Sequence, residues 1–155
     1  MPRGPVSLAD VDLTLALIVV SALLVVTVVA GVVVQRRQGR ARAIHDGDVV
    51  DPRPLGAASL GRDATLLQFS TEMCSRCPSV HRMLSSIAND RDGVVHLDVD
   101  LTHRPDLAAR FHVLQTPTTL VLDRTGVIRT RFGGTPGRAV VELELDQLHE
   151  ESTHA

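Results

Sequence analysis

The chain has 155 residues and a formal net charge of −2, room for one domain plus extra segments and too little positive charge for a nucleic-acid footprint. It holds no Trp or Tyr and only 3 Phe, so stacking on bases or sugars is not its chemistry. With 2 Cys it is not a disulfide-stapled secreted scaffold, and every basic side chain other than histidine is arginine.

After a short tail, residues 1–12, the stretch from Leu13 to Val34 carries no charge and consists mostly of Val, Leu, Ile and Ala. As a helix it reaches about 33 Å, the thickness of a bilayer's hydrocarbon core, which predicts a transmembrane helix over 13–34. A cleaved secretion signal has a basic start and a shorter apolar core. Here Asp10 and Asp12 precede the run and Gln35-Arg36-Arg37 ends it, which favours an uncleaved span. Arg36, Arg37, Arg40 and Arg42 crowd one flank against Arg3 on the other. Basic flanks stay in the cytoplasm, so the N-terminus is expected outside and the remainder inside. The expected location is the cell membrane, single-pass, with the lipid bilayer as a partner. Residues 35–56 hold Gly39, Gly47, Pro52, Pro54 and Gly56 without a sustained period, and read as a flexible basic linker. Such a chain spans roughly 25 Å on average.

Residues 57–155 alternate strand and helix signals. Thr65 to Ser70 is a short apolar run and a buried strand. Val80, Met83, Leu84 and Ile87 repeat at three and four, an apolar helix face, with Pro78 in its first turn. Asn89 to Gly93 is a stop and loop. Val94, Val95, Leu97 and Val99 mark a second strand, and Pro105 starts a short helix over Asp106 to Phe111. Thr118 to Leu122 is a third strand, and Asp123-Arg124-Thr125-Gly126 turns the chain into an antiparallel partner, Val127 to Arg131. Thr135-Pro136 opens a terminal helix carrying Val140, Val141, Leu143, Leu145 and Leu148.

The cysteines stand three apart, Cys74-Ser75-Arg76-Cys77, between the first strand and the first helix of this region. A helix N-terminus carries roughly half a positive charge and unpaired N–H groups, which favour a thiolate at Cys74. Such surroundings bring a thiol from ~8.5 to roughly 3.5–7.5. Cys74 then attacks a disulfide, and Cys77, one turn in and less exposed, resolves the mixed disulfide. A zinc site needs four ligands; His81 supplies a third, but no fourth at matching spacing stands out among the other histidines. A purely structural disulfide would close too short a loop to remove much chain entropy. Both alternatives fit less well than redox chemistry.

The order β-α-β-α-β-β-α, Cys-x-x-Cys at the first β-to-α junction and Gln115-Thr116-Pro117-Thr118 just before the third strand together resemble the thioredoxin family. Gln68-Phe69-Ser70-Thr71-Glu72-Met73-Cys74-Ser75-Arg76-Cys77 is similar to membrane-anchored thioredoxin-like proteins of the actinobacterial type. The resemblance covers residues 57–155. It implies an α/β, thioredoxin-like fold, a central mixed sheet flanked by helices, preceded by one transmembrane helix. It implies Cys74 and Cys77 as catalytic residues, a cis bond before Pro117 packed against them, and Thr116 offering backbone hydrogen bonds to a peptide. Disulfide-bearing protein substrates and an external thiol electron donor, a thioredoxin system or a membrane redox partner, follow from it; no cofactor or metal is implied.

Three departures from the family pattern stand out. Met73 occupies the usual place of a tryptophan, and Ser75-Arg76 that of Gly-Pro. Gln68 stands six positions before Cys74, where the family has a buried acid that helps deprotonate the resolving thiol; an amide cannot. Water or another group must do so, and Glu72 is a candidate although it reads as exposed. Arg76 stabilises a Cys74 thiolate, which makes the disulfide more oxidising. His81, seven residues after Cys74, reads as an exposed helix histidine in preference to a metal ligand or proton relay. The expected function is membrane-tethered thiol–disulfide exchange. An outward-facing domain serving extracytoplasmic maturation, and a non-enzymatic metal-binding or scaffold domain, are the alternatives.

Overall fold

The computed structural model describes residues 8–37, 41–43 and 49–154. The chain divides into two compact units with the break after Arg37. The first contains α1, Leu8–Arg37, a 30-residue helix. Every side chain from Leu15 to Val32 is exposed and apolar or small, and the helix is long and apolar enough to cross a membrane, a property that a secretion signal shares. The tail expected at 1–12 and the linker expected at 35–56 lie partly outside the described residues.

The second unit is built on a five-stranded mixed sheet in the order β1-β5-β4-β2-β3. The strands are β1 (Ala41–Ala43), β2 (Ala64–Ser70), β3 (Val94–Asp100), β4 (Thr118–Asp123) and β5 (Ile128–Gly133). β2 runs parallel to β3 and antiparallel to β4, which pairs antiparallel with β5. The helices are α2 (Cys77–Asn89), α3 (Pro105–Arg110) and α4 (Arg138–His154). The central mixed sheet with helices on both faces is the expected fold class. α4 starts three residues later than the sequence signals suggest, because Gly137 separates Pro136 from the helical run.

Part of the stretch read as linker belongs to the sheet. Ala41–Ala43 pairs with β5, Val49 bridges Val127, and Val50 is buried with its N–H donated to Gly126 O at 2.8 Å. A three-residue strand is too short to show a period, and Val50 is buried by residues far along the chain. Gly126 makes this approach possible. Its φ is +84°, and a Cβ there would lie 2.9 Å from Leu60 Cδ1 and 3.1 Å from Val50 O.

Both faces of β2 are covered, so Ala64 to Phe69 are all buried and the strand shows no alternation. Leu67 and Phe69 join Leu107, Phe111, Leu120 and Leu122 on the α3 side. Ala64 and Leu66 join Val80, Leu84, Ile87, Val121, Phe132, Val141 and Leu145 on the side of α2 and α4. Across β4 and β5 the register skips one residue: Leu122 faces Ile128 and Val121 faces Thr130. The bulged residue, Arg129, reverses the face of the strand, so Ile128 contributes to one core and Phe132 to the other.

α2 is held by Val80, Leu84 and Ile87, the predicted apolar face. Leu84 is fully buried. Leu84→Ala should therefore destabilise the domain by about 2–5 kcal/mol. A lower urea midpoint with an unchanged slope, measured on the detergent-solubilised chain, checks it.

Candidate active site

The segment joining β2 to α2 is a pair of tight turns. Cys74 N–H donates to Thr71 O at 3.1 Å, and Cys77 N–H donates to Cys74 O at 3.2 Å. Cys74 and Cys77 are disulfide-bonded, with Cα atoms 5.4 Å apart. The helix begins at Cys77 and not at Cys74: Arg76 is the N-cap, without a side-chain capping bond, and Pro78 occupies the first turn. Proline there forfeits no helical hydrogen bond. Cys74 stands just outside the helix end and is half-buried, whereas Cys77 is 5 % exposed.

Gln68 is fully buried beneath this turn, and its Nε2 donates to Cys77 O at 3.2 Å. Its even position on β2 puts it on the face that carries α2. Among the described residues nothing donates to Gln68 Oε1. The amide thus ties β2 to the first residue of α2 but offers no titratable proton.

The Thr116–Pro117 peptide bond is cis, as the resemblance implies, and Pro117 is buried. Gly134 N–H donates to Pro117 O at 2.8 Å, and Thr118 Oγ1 to Gln115 O at 2.8 Å. Thr116 Oγ1 lies 3.2 Å from Thr71 Oγ1, so the proline loop adjoins the cysteine loop. Each loop carries one almost fully exposed apolar side chain, Met73 at 93 % and Leu114 at 96 %. The backbone on the other side is tied to the end of β3. Leu101 N–H donates to Ser70 O at 2.8 Å, and Glu72 N–H to Thr102 Oγ1 at 3.0 Å. Thr102 in turn donates to Asp100 and holds its carboxyl below the usual range.

A cleft of about 400 Å³ opens beside the disulfide, lined by both cysteines, Glu72, His81, Asp98 and Asp100 among others. His81 and Asp98 form a pair that sequence reading missed. His81 Nδ1 lies 3.0 Å from Asp98 Oδ2, and Ser70 Oγ donates to Asp98 Oδ1 at 2.7 Å. Behind them His96 meets the His81 ring edge-on, centroids 4.9 Å apart, and its Nδ1 lies 2.9 Å from Ser85 Oγ. Four-residue spacing already aligned Cys77 with His81. Only the pairing of β3 with β2, Gln68 opposite Asp98, brings the carboxylate to them. Among the described residues no three metal-ligating side chains cluster.

A dithiol–disulfide pair at a strand-to-helix turn, beside a cis proline at the start of a neighbouring strand, defines a protein of the thiol–disulfide exchange class. The Thioredoxin family model matches residues 58–145, and the chain belongs to that family. Solved structures agree on the fold. Thioredoxin-2 of the malaria parasite, described as a component of its protein secretion machinery, is 19 % identical with a TM-score of 0.51, over 55 % of this chain and 82 % of that one. A mutant thioredoxin from Halobacterium salinarum is 17 % identical with a TM-score of 0.51, over 61 % of this chain and 80 % of that one. Among curated proteins none matches significantly.

His96 provides a pH test of the packing behind the cleft. Burial of its ring, then the neighbouring His81, lowers its pKa from 6.5 to about 4, with Asp98 opposing. Between these values the unfolded chain binds the extra proton, so stability is present above 6.5 and is lost as pH falls toward 4. With allowance for the ring's partial exposure the loss is roughly 1–2 kcal/mol. Urea titrations at pH 7 and pH 4.5 should show a smaller drop in His96→Gln than in the parent chain.

Proposed function

We propose that this protein is a membrane-tethered thiol–disulfide oxidoreductase that reduces or exchanges disulfides in other proteins. The observation that carries the reading is the bonded Cys74–Cys77 pair with unequal burial, Cys77 at 5 % and Cys74 half-buried, on a thioredoxin domain. In the dithiol state the Cys74 thiolate attacks a partner disulfide. One partner sulfur leaves as thiolate, and a mixed disulfide forms. Cys77 then attacks Cys74 Sγ, the Cys74–partner bond breaks, and two electrons have passed to the partner. Thr116 and Pro117 shape the surface that receives the peptide, with Met73 and Leu114 supplying apolar contact on either loop.

The chain has only 2 Cys and therefore no internal relay. An external thiol donor, a thioredoxin system or a membrane redox partner, resets each turnover. α1 anchors the domain, and the arginines after it, Arg36, Arg37, Arg40 and Arg42, favour a cytoplasmic domain.

Reduction of insulin by the full chain with an added dithiol should be lost in Cys74→Ser. Cys77→Ser should instead accumulate a mixed disulfide visible by mass spectrometry. Wild-type turnover in Cys74→Ser would overturn the assignment. Titration of the pair should give a potential between roughly −270 mV, suited to a reductant, and −120 mV, suited to an oxidant. A thiol reagent that cannot cross membranes should label Cys74 only after cells are opened; labelling in intact cells would place the domain outside.

A further inference from the structure

We propose that His81, held by Asp98, is the group that takes the proton from Cys77 when this sulfur resolves the mixed disulfide. The inference rests on the exchange reading above and names the acid–base partner of that site. The need is chemical: the thiolate and not the thiol is the nucleophile. Cys77 is 5 % exposed, so bulk water has little access to its proton. The buried side chain against its backbone is Gln68, whose amide cannot accept that proton.

His81 meets the requirement by its place on α2. Cys77 is the first residue of that helix and His81 is four residues on, so the two share one face. Side chains on a helix lean toward its N-terminus, which carries the imidazole back toward the sulfur. Both residues line the same cleft, and half of the His81 side chain is exposed; a proton can pass between them directly or through water in the cleft. Asp98 determines which nitrogen exchanges. A carboxylate only accepts, so the Nδ1 proton is committed to it and Nε2 presents its lone pair. Ser70 holds Asp98 from the other side, making Asp98 a positioning residue.

Asp98 and Asp100 face the cleft from β3 and Glu72 from the cysteine loop, against Arg82 on α2. His96, packed against the ring from β3, is kept neutral by its burial and adds no opposing charge at neutral pH. Glu72 is a further acid–base group at the cleft, but it precedes Cys74 and is not on the helix face of Cys77.

The step balances. The Cys77 thiol gives its proton to His81 Nε2, and its sulfur forms the bond to Cys74 Sγ. The Cys74–partner bond breaks, and the partner sulfur leaves with the electron pair and takes up a proton. Over attack and resolution together, two electrons and two protons pass from the dithiol to the partner disulfide.

The test uses the reduced full chain in detergent and a chromophoric aromatic disulfide, which releases one coloured thiolate on attack by Cys74 and a second on resolution by Cys77. Stopped-flow traces from pH 5.5 to 9 separate the two phases. In His81→Gln the second phase should slow by ~10-fold or more at pH 7, converging on the parent toward pH 9 as hydroxide takes over. The first phase should stay within about two-fold. Asp98→Asn should slow the second phase by a smaller factor, and Glu72→Gln should leave both phases unchanged. A His81→Gln resolution profile that superposes on the parent, equal slowing of both phases, or loss of resolution only in Glu72→Gln would overturn the assignment. If the parent releases no first thiolate, the exchange reading falls and this one with it; release by the parent with an unaffected His81→Gln removes His81 alone.

Discussion

The site depends on how α2 is set upon the sheet. Val80, Leu84 and Ile87 sink fully into the face formed by Leu66, Val121, Phe132 and Val141, which leaves the helix one position and one rotation. Its first residue is thereby pinned over the end of β2, where Gln68 grips the Cys77 carbonyl. From there the next features follow without further choice. Cys77 is buried because it belongs to the docked face, Cys74 is only half-buried because it precedes the helix, and His81, one turn beyond Cys77, lines the cleft.

The polar groups around this helix end are divided by depth. Gln68 lies inside, satisfied on its nitrogen and fully desolvated. A carboxylate there would bear a heavy desolvation penalty, which a neutral amide avoids. The ionisable groups are displaced outward to the cleft wall, where Ser70 and Thr102 give Asp98 and Asp100 hydrogen-bond donors and water reaches them. His96 is the exception, a histidine turned into the space between α2 and β3 and kept uncharged by that burial. Around this helix end, charge thus gathers on the wall of the cleft beside the disulfide.

The two loops that flank the disulfide are braced separately from the helix. Thr71 contacts Thr116 across them, and β3 braces the cysteine loop through Leu101, Thr102 and Asp100. Met73 and Leu114, one on each loop, remain in water although both are large and apolar. The N-terminal helix differs from the domain: its exposed and mostly apolar surface from Leu15 to Val32 is long enough to cross a membrane, as that of a secretion signal also is.

Much of this was legible in the residues alone, for identifiable reasons. The apolar run before Gln35 needs only its length, and the helix face of Val80, Met83, Leu84 and Ile87 needs only its period. The Cys74–Cys77 spacing with Pro117 ahead of β4 is local as well, since tight turns and helix starts are specified by neighbours in the chain. Other features required strands distant in sequence to meet. Ala41–Ala43 becomes a strand only because β5 offers it an edge, and Val50 is buried only because Gly126 lets the backbone approach. The Asp98 carboxylate reaches His81 only through the parallel pairing of β3 with β2. Patterns within one element carry information about that element's own faces, whereas the partner across a sheet is chosen by packing, and no single segment encodes it.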